Sequence, residues 1–240
     1  AKASRRAQRG VGRFQELLRE LVYGGNDGIV TTFAVVAGFA GAGAEGAAEV
    51  GAVAVLLFGL ANLFADATSM GLGAFLSSRS QSDVYETTRA RELEEIRRHP
   101  ETERSETVAL LEDRGVSRAD AEGIADYFLR NPELMADFVM HYELGMSDPT
   151  DGPSPALEGL ATFVSFVMFG AIPLLPYFLM EATAATFHTS VAATFAALVL
   201  LGLLRWRVTA MPIWRCLWET VAVGGVCAVI GYAVGFAFRG

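Results

Sequence analysis

The 240-residue sequence predicts an all-α polytopic membrane protein with five transmembrane helices and a helical, acidic cytoplasmic insert. Three observations carry this expectation. Five apolar stretches are each long enough, or nearly so, to cross a bilayer. Charge is segregated: residues 79–150 hold 9 Lys/Arg and 17 Asp/Glu, a net of −8, and the remainder is neutral. One stretch, Gly51 to Arg98, passes from a lipid-compatible half (Ala52–Ala61) to a water-bound half (Arg89–Arg98) with no proline between them.

Residues 1–20 form a basic amphipathic arm. Lys2, Arg5, Arg6, Arg9, Arg13 and Arg19 accompany Phe14, Leu17, Leu18, Leu21 and Val22 at helical spacing. Such an arm suits an anionic surface, or simply anchors the chain by the positive-inside rule. No short apolar core with a small-residue cleavage site follows it, so no cleavable signal peptide is expected. The chain begins at Ala1 rather than Met, which leaves room for an upstream segment.

The apolar spans run Leu21–Ala42, Val50–Leu76, Leu157–Met180, Phe187–Leu204 and Pro212–Phe238. Residues 21–78 therefore hold the first two spans, 79–150 the insert, and 151–240 the last three. Lys and Arg are missing from Gly43–Glu49 and Glu181–Thr186 but present in the arm, in the insert, in Arg205-Trp-Arg207 and at Arg215. The positive-inside rule then places the N-terminus and the insert in the cytoplasm and the C-terminus outside, as for a prokaryotic inner-membrane protein. A helix over Gly51–Arg98 would be about 70 Å long, with its breaker at Pro100.

Within the insert, a second helix is expected over Thr102–Leu111, stopped at Gly115. Ser117-Arg-Ala-Asp120 resembles a capping box that opens a third helix to about Arg130. Asn131-Pro132 opens a fourth, with Leu134, Phe138 and Tyr142 on one face. Asp148–Pro155 is a turn-rich linker.

The residues available for chemistry are mostly acidic. Asp27 follows Gly24-Gly-Asn26 at the start of the first span. A buried charge there must face a cavity or a partner, unless it lies in the headgroup layer as a cap. Asn62, Asp66 and Met70 recur at i, i+4 and i+8 and share one face of the second span. Met70 is a core side chain or, beside carboxylates, a soft ligand that favours transition metals. Glu219 is either a pathway residue or interfacial. In the insert, Glu92/Glu95 and Glu103/Glu106 are i, i+3 pairs on successive helices, and Glu143, near Met140 and His141, adds a third. Converging carboxylates would hold divalent cations; the alternative is a solvated acidic surface.

Several classes are excluded or disfavoured. The acidic insert would repel nucleic acid. No His has an Asp or Glu three residues before it, so the paired Glu-x-x-His of a di-iron enzyme is missing, as are nucleophile-elbow and phosphate-loop patterns. Cys216 and Cys227, eleven residues apart on one helix, cannot bridge within it. A transporter rather than an enzyme is expected, with no prosthetic group.

Asn26-Asp-Gly28 with Ala37-Gly38, then Ser69-Met-Gly-Leu-Gly73, Asp137-Phe138 with Tyr142-Glu-Leu-Gly145, and Gly170-Ala-Ile-Pro-Leu-Leu-Pro-Tyr177 follow one another in order. Together they resemble the vacuolar iron transporter family from about Tyr23 to Phe238. The resemblance implies a homodimer of five-span protomers exchanging cytosolic Fe²⁺, often also Mn²⁺, for protons along a pathway at the dimer interface. It implies Asp27 and Met70 as membrane-site residues and Glu92, Glu95, Glu103, Glu106 and Glu143 as a cytoplasmic metal-binding set. Two positions depart from the family pattern. Val139 stands where a methionine is usual, leaving Met140 or His141 to substitute. Asn62 stands where a second-span glutamate is common, leaving Asp66 to carry the charge. Proton-coupled export of divalent metal is the resulting expectation; a metal sensor without transport and a passive channel are the alternatives.

Overall fold

The computed structural model describes residues 2–42, 48–181, 183–209 and 211–238, with side chains described except at 2–16, 48–50, 184 and 208. The basic side chains from Lys2 to Arg13, most of the first connection and Arg239 lie outside that set. The described chain is helical, with no strand. Its helices are α1 (Lys2–Gly41), α2 (Ala48–Arg98), α3 (Pro100–Asp113), α4 (Arg118–Leu129), α5 (Pro132–Tyr142), α6 (Pro155–Gly170), α7 (Leu175–Leu179), α8 (Ala184–Thr209) and α9 (Ile213–Ala237). Two compact units result, one of residues 1–76 with 153–240 and one of residues 77–152.

Among the described residues, four helices are long and apolar enough to cross a membrane: Gly51–Arg98, whose second half belongs to the second unit, Pro155–Leu179, Ala185–Arg207 and Ile213–Ala237. The expected first span, Leu21–Ala42, lies on α1 but is not among them. Its Gly24-Gly-Asn-Asp-Gly28 run dilutes the apolar residues that follow. Packing makes up for composition there, because α1 is clasped chiefly by α6 and α9. Gly24 lies against Thr162 and Gly28 against Phe166, so α1 and α6 run in the same direction. Gly231 meets Ala34 and Gly235 meets Gly38, so α9 does too. By contrast α2 runs opposite to α6, Gly71 meeting Gly159 and Leu63 meeting Gly170. Helix α8 runs opposite to α9, with Gly202 on Leu217 and Gly224 on Leu198.

A Cβ added at Gly28 would fall on the Phe166 carbonyl oxygen, and one at Gly235 on the Gly38 carbonyl. These backbones touch because no side chain intervenes, the device that packs helices where lipid removes the hydrophobic drive. Around the contacts, Phe33, Val36, Ala37, Leu63, Ala67, Phe166 and Leu174 form one core and Ile29, Ala197, Leu198 and Leu201 a second. The third expected span is not one helix. It breaks after Gly170 into a 3₁₀ turn over Ile172–Leu174 and then short α7, since Pro173 and Pro176 cannot donate to the preceding turn.

In the second unit, α2 continues unbroken to Arg98, as the proline-free sequence requires. Pro100 opens α3 instead of trailing it, in the first-turn position where its missing N–H is harmless. Ser117 caps α4, accepting from the Asp120 N–H at 3.3 Å and donating to Asp120 Oδ2 at 2.6 Å. Asn131 does not cap α5; its amide donates to the Tyr127 carbonyl at 2.9 Å. The buried face of α5 is Met135, Ala136, Val139 and Met140, while Leu134 and Tyr142 of the expected face are exposed. Ile96 of α2 packs on Met135 and Ala136, and Val108 and Leu111 of α3 on Ala121 and Ala125 of α4.

Candidate metal and proton sites

The membrane unit and the acidic unit each hold one cluster of candidate residues. On α2, Asn62, Asp66 and Met70 are all half-buried, one per turn, between the fully buried Leu63 and Ala67 and the exposed Phe64 and Ala65. Asn62 Nδ2 donates to Asp66 Oδ2 at 2.9 Å. Asp66 lies within electrostatic reach of Asp27, itself half-buried on α1. The helical repeat of α2 thus joins the amide to Asp66, and the packing of α1 on α2 brings Asp27 near them. Met70 packs against the Phe33–Phe166 core, so its volume serves the fold whatever its sulfur does. Asn62 also lines a shallow hollow of about 470 Å³ otherwise walled by Val35, Phe39, Phe58, Ala61 and Ala65.

Glu219 is not part of this cluster. Its carboxylate accepts from Arg215 Nε at 2.9 Å and pairs with Arg205 Nη2 at 2.7 Å, which joins the ends of α8 and α9.

In the acidic unit, Glu103 sits at the centre of the carboxylates. Burial, then Glu106, Glu92, Glu143 and Glu95 in that order, push its carboxyl up to about 7. Glu143 is raised too, by burial and then by Glu106 and Glu92. Glu103 therefore feels the other four glutamates, and Glu143 feels Glu106 and Glu92. They share a field without forming a ready-made coordination shell: among the described residues, no three His, Cys, Asp or Glu side chains are placed to hold a metal ion. Glu92 also accepts from its neighbour Arg91 at 3.2 Å. Glu95 lies 3.9 Å from His99 Nε2.

The structure places Val139 and Met140 in the interior, at 2% and 0% exposure. His141 is exposed and sets its ring edge-on to Tyr142.

A raised carboxyl has a definite consequence for stability. The folded unit binds a proton at Glu103 more tightly than the unfolded chain, whose carboxyl titrates near 4.5. That contribution is complete below about pH 4.5 and is lost as pH rises through about 7. We expect the protein without added metal to melt at a lower temperature at pH 8 than at pH 5.5. Glu103→Gln should flatten that dependence. Saturating divalent metal at pH 8 should reverse the loss, by about 2.7 kcal/mol at 100 times its Kd. A calorimetric pH series with no Glu103-dependent difference would remove the shared field.

Some contacts carry no signal in local spacing. Glu20 is 8% exposed, holding Arg19 at 3.0 Å and accepting from Thr162 Oγ1 at 2.9 Å. Its one clue is its position two helical turns before Asp27. Arg89 forks between Asp137 at 2.7 Å and Glu133 at 3.0 Å, bracing α2 on α5. Arg114 donates to the Tyr142 carbonyl at 2.7 Å with its guanidinium over the Tyr142 ring, fixing the end of α5 next to Glu143.

Comparison with known proteins finds relatives that span most of the chain. Vacuolar iron transporter 1 of Oryza sativa subsp. japonica is 33% identical over 225 residues, 93% of this chain and 86% of that protein. The vacuolar iron transporter of Centaurea cyanus is 34% identical over 226 residues, covering 92% and 89%. Vacuolar iron transporter 1 of Arabidopsis thaliana is 33% identical over 220 residues, covering 91% and 85%. These relatives are named as transporters of iron, which is cargo to them and not a prosthetic group. The VIT family profile matches residues 18–236, from the turn of α1 before Glu20 to the end of α9, and this chain belongs to the VIT family.

Proposed function

We propose that this protein is an integral membrane transporter that moves Fe²⁺, and with it Mn²⁺, out of the cytosol in exchange for protons. Supporting metal transport is membership of a family whose named relatives are iron transporters. The single observation that carries the antiport reading is the intramembrane cluster of Asp27, Asp66 and Asn62. A carboxylate in such a place holds either a cation or a proton, and that exclusivity is the simplest basis for exchange.

Five membrane crossings fit the alternating directions of α1, α2, α6, α8 and α9, with α1 contributing the crossing that hydropathy alone does not claim. An odd number puts the termini on opposite sides. Arg19 and Arg205 line one cavity, which supports placing the arm and the loop after α8 on a common, cytoplasmic side. By the same reasoning residues 79–150 form a cytoplasmic metal-capturing domain, with Glu92, Glu95, Glu103, Glu106 and Glu143 as its ligands and His141 or Met140 as a softer contributor. In a bacterial cell the membrane would be the inner one.

A homodimer follows from α2. Its half-buried polar stripe is bordered by exposed Phe58, one turn before Asn62, and by exposed Leu76. An intramembrane amide and carboxylate on a half-exposed face call for a partner surface, and a second α2 would enclose the pathway.

The deciding experiment is Fe²⁺ uptake into proteoliposomes with and without an imposed pH gradient. Gradient-driven uptake supports exchange. Uptake indifferent to the gradient makes the protein a channel, and no Fe²⁺ or Mn²⁺ uptake by folded protein leaves a sensor. In the same assay Met70→Leu, which keeps the packing volume and removes the sulfur, should lower Fe²⁺ affinity by about tenfold, the equivalent of about 1.4 kcal/mol. Unchanged affinity would make Met70 a core residue only.

A further inference from the structure

A groove of about 540 Å³ opens between α1, α8 and α9. Leu18, Val22, Leu201 and Val223 form its apolar walls, while Arg19, Arg205 and Glu219 stand at it. Glu219 is already met by two guanidiniums, Arg205 and Arg215, and Glu20 by Arg19 and Thr162. Among the described residues, three guanidiniums thus face two carboxylates. Each guanidinium carries five N–H donors, more than these contacts use, in a fork that suits phosphate.

Depth points the same way. Trp206, Trp214 and Trp218 flank Arg205 and Arg215 on the adjoining ends of α8 and α9, at 38%, 80% and 73% exposure. Exposed tryptophans beside arginines mark the headgroup level of a bilayer. An apolar slot that opens at that level beneath an excess of guanidinium matches one molecule only in part apolar. Its head must be anionic and its tail a hydrocarbon.

We infer that this groove binds one anionic phospholipid, its phosphodiester on Arg19 and Arg205 and an acyl chain along Leu18, Val22, Leu201 and Val223. The lipid joins the N-terminal half of α1 to the α8–α9 end, supplementing the Arg205–Glu219 pair. Net charge selects the headgroup, since a zwitterionic lipid brings its own cation to an already cationic rim.

The test is thermal unfolding of the purified full chain in detergent with added phosphatidylglycerol or phosphatidylcholine. At 100 times its Kd, phosphatidylglycerol should raise Tm by about 5–10 °C. Phosphatidylcholine and inorganic phosphate should each give much less. The double variant Arg19→Gln/Arg205→Gln should lose the phosphatidylglycerol increment, each protein being compared with itself in phosphatidylcholine. Should that variant not fold, Val223→Trp decides, because it fills the slot without touching a charge. Equal shifts from both lipids, a full shift from phosphate alone, or an increment that survives Val223→Trp would each overturn the proposal.

Discussion

Asp27→Ala is expected to abolish gradient-driven Fe²⁺ uptake, down to the leak of protein-free vesicles, in a protein that still folds. Asp27 is half-buried on α1, and the helix contacts that hold it there come from glycine backbones and from Ile29, Phe33 and Val36, not from its carboxylate. The side chain can therefore go without dismantling its surroundings. Without it, Asp66 is left with the Asn62 amide and no second acid, so the proposed exchange of a divalent cation for protons would lose its site. Asp27→Asn should behave like Ala, since size is kept and the ionisable group is not. Retained gradient-driven uptake in both variants would move the exchanging acid elsewhere.

Gly28→Ala, one methyl added one residue further on, is expected to do the opposite: destroy the fold and leave the chemistry intact in principle. The new Cβ meets the carbonyl oxygen of Phe166, which belongs to a helix backbone and cannot rotate away. Helices α1 and α6 must separate, opening the core around Phe166, and a cost of about 3 kcal/mol or more is expected for such overpacking. Gly123→Ala is the control. A Cβ at Gly123 of α4 meets nothing within 4 Å, so there alanine should stabilise by about 0.5–1 kcal/mol through helix propensity. Melting curves and size-exclusion profiles of the two variants should diverge in opposite directions from the parent.

The parts of this structure that were legible in the sequence are those governed by local rules. Helix α2 is continuous because nothing between Gly51 and Arg98 breaks it, and Ser117 caps α4 because Asp120 stands three residues on. The Asn62–Asp66 contact follows from i, i+4 spacing, and the influence of Glu106 on Glu103 from their i, i+3 pairing on α3. What escaped depends on partners far away in the chain. Leu134, Phe138 and Tyr142 share a stripe on α5, but Ile96 of α2 packs on the neighbouring stripe instead. Pro173 and Pro176 lie in plain sight within an apolar run whose length still suggests one span. Glu20 reads as one charge among many until Thr162, 142 residues later, arrives to meet it.

That last separation applies to α1 as a whole and bears on how the protein is made. Helix α1 is the first to be synthesised, and the two helices that clasp it, α6 and α9, come after residues 154 and 212. While the ribosome is still working through the acidic stretch, Gly24 and Gly28 lack the α6 backbone on which they rest. The packing of α1 is then completed only when the last helix has been made. Truncation before α9 should leave the N-terminal segment the first part of the chain open to quality-control proteases.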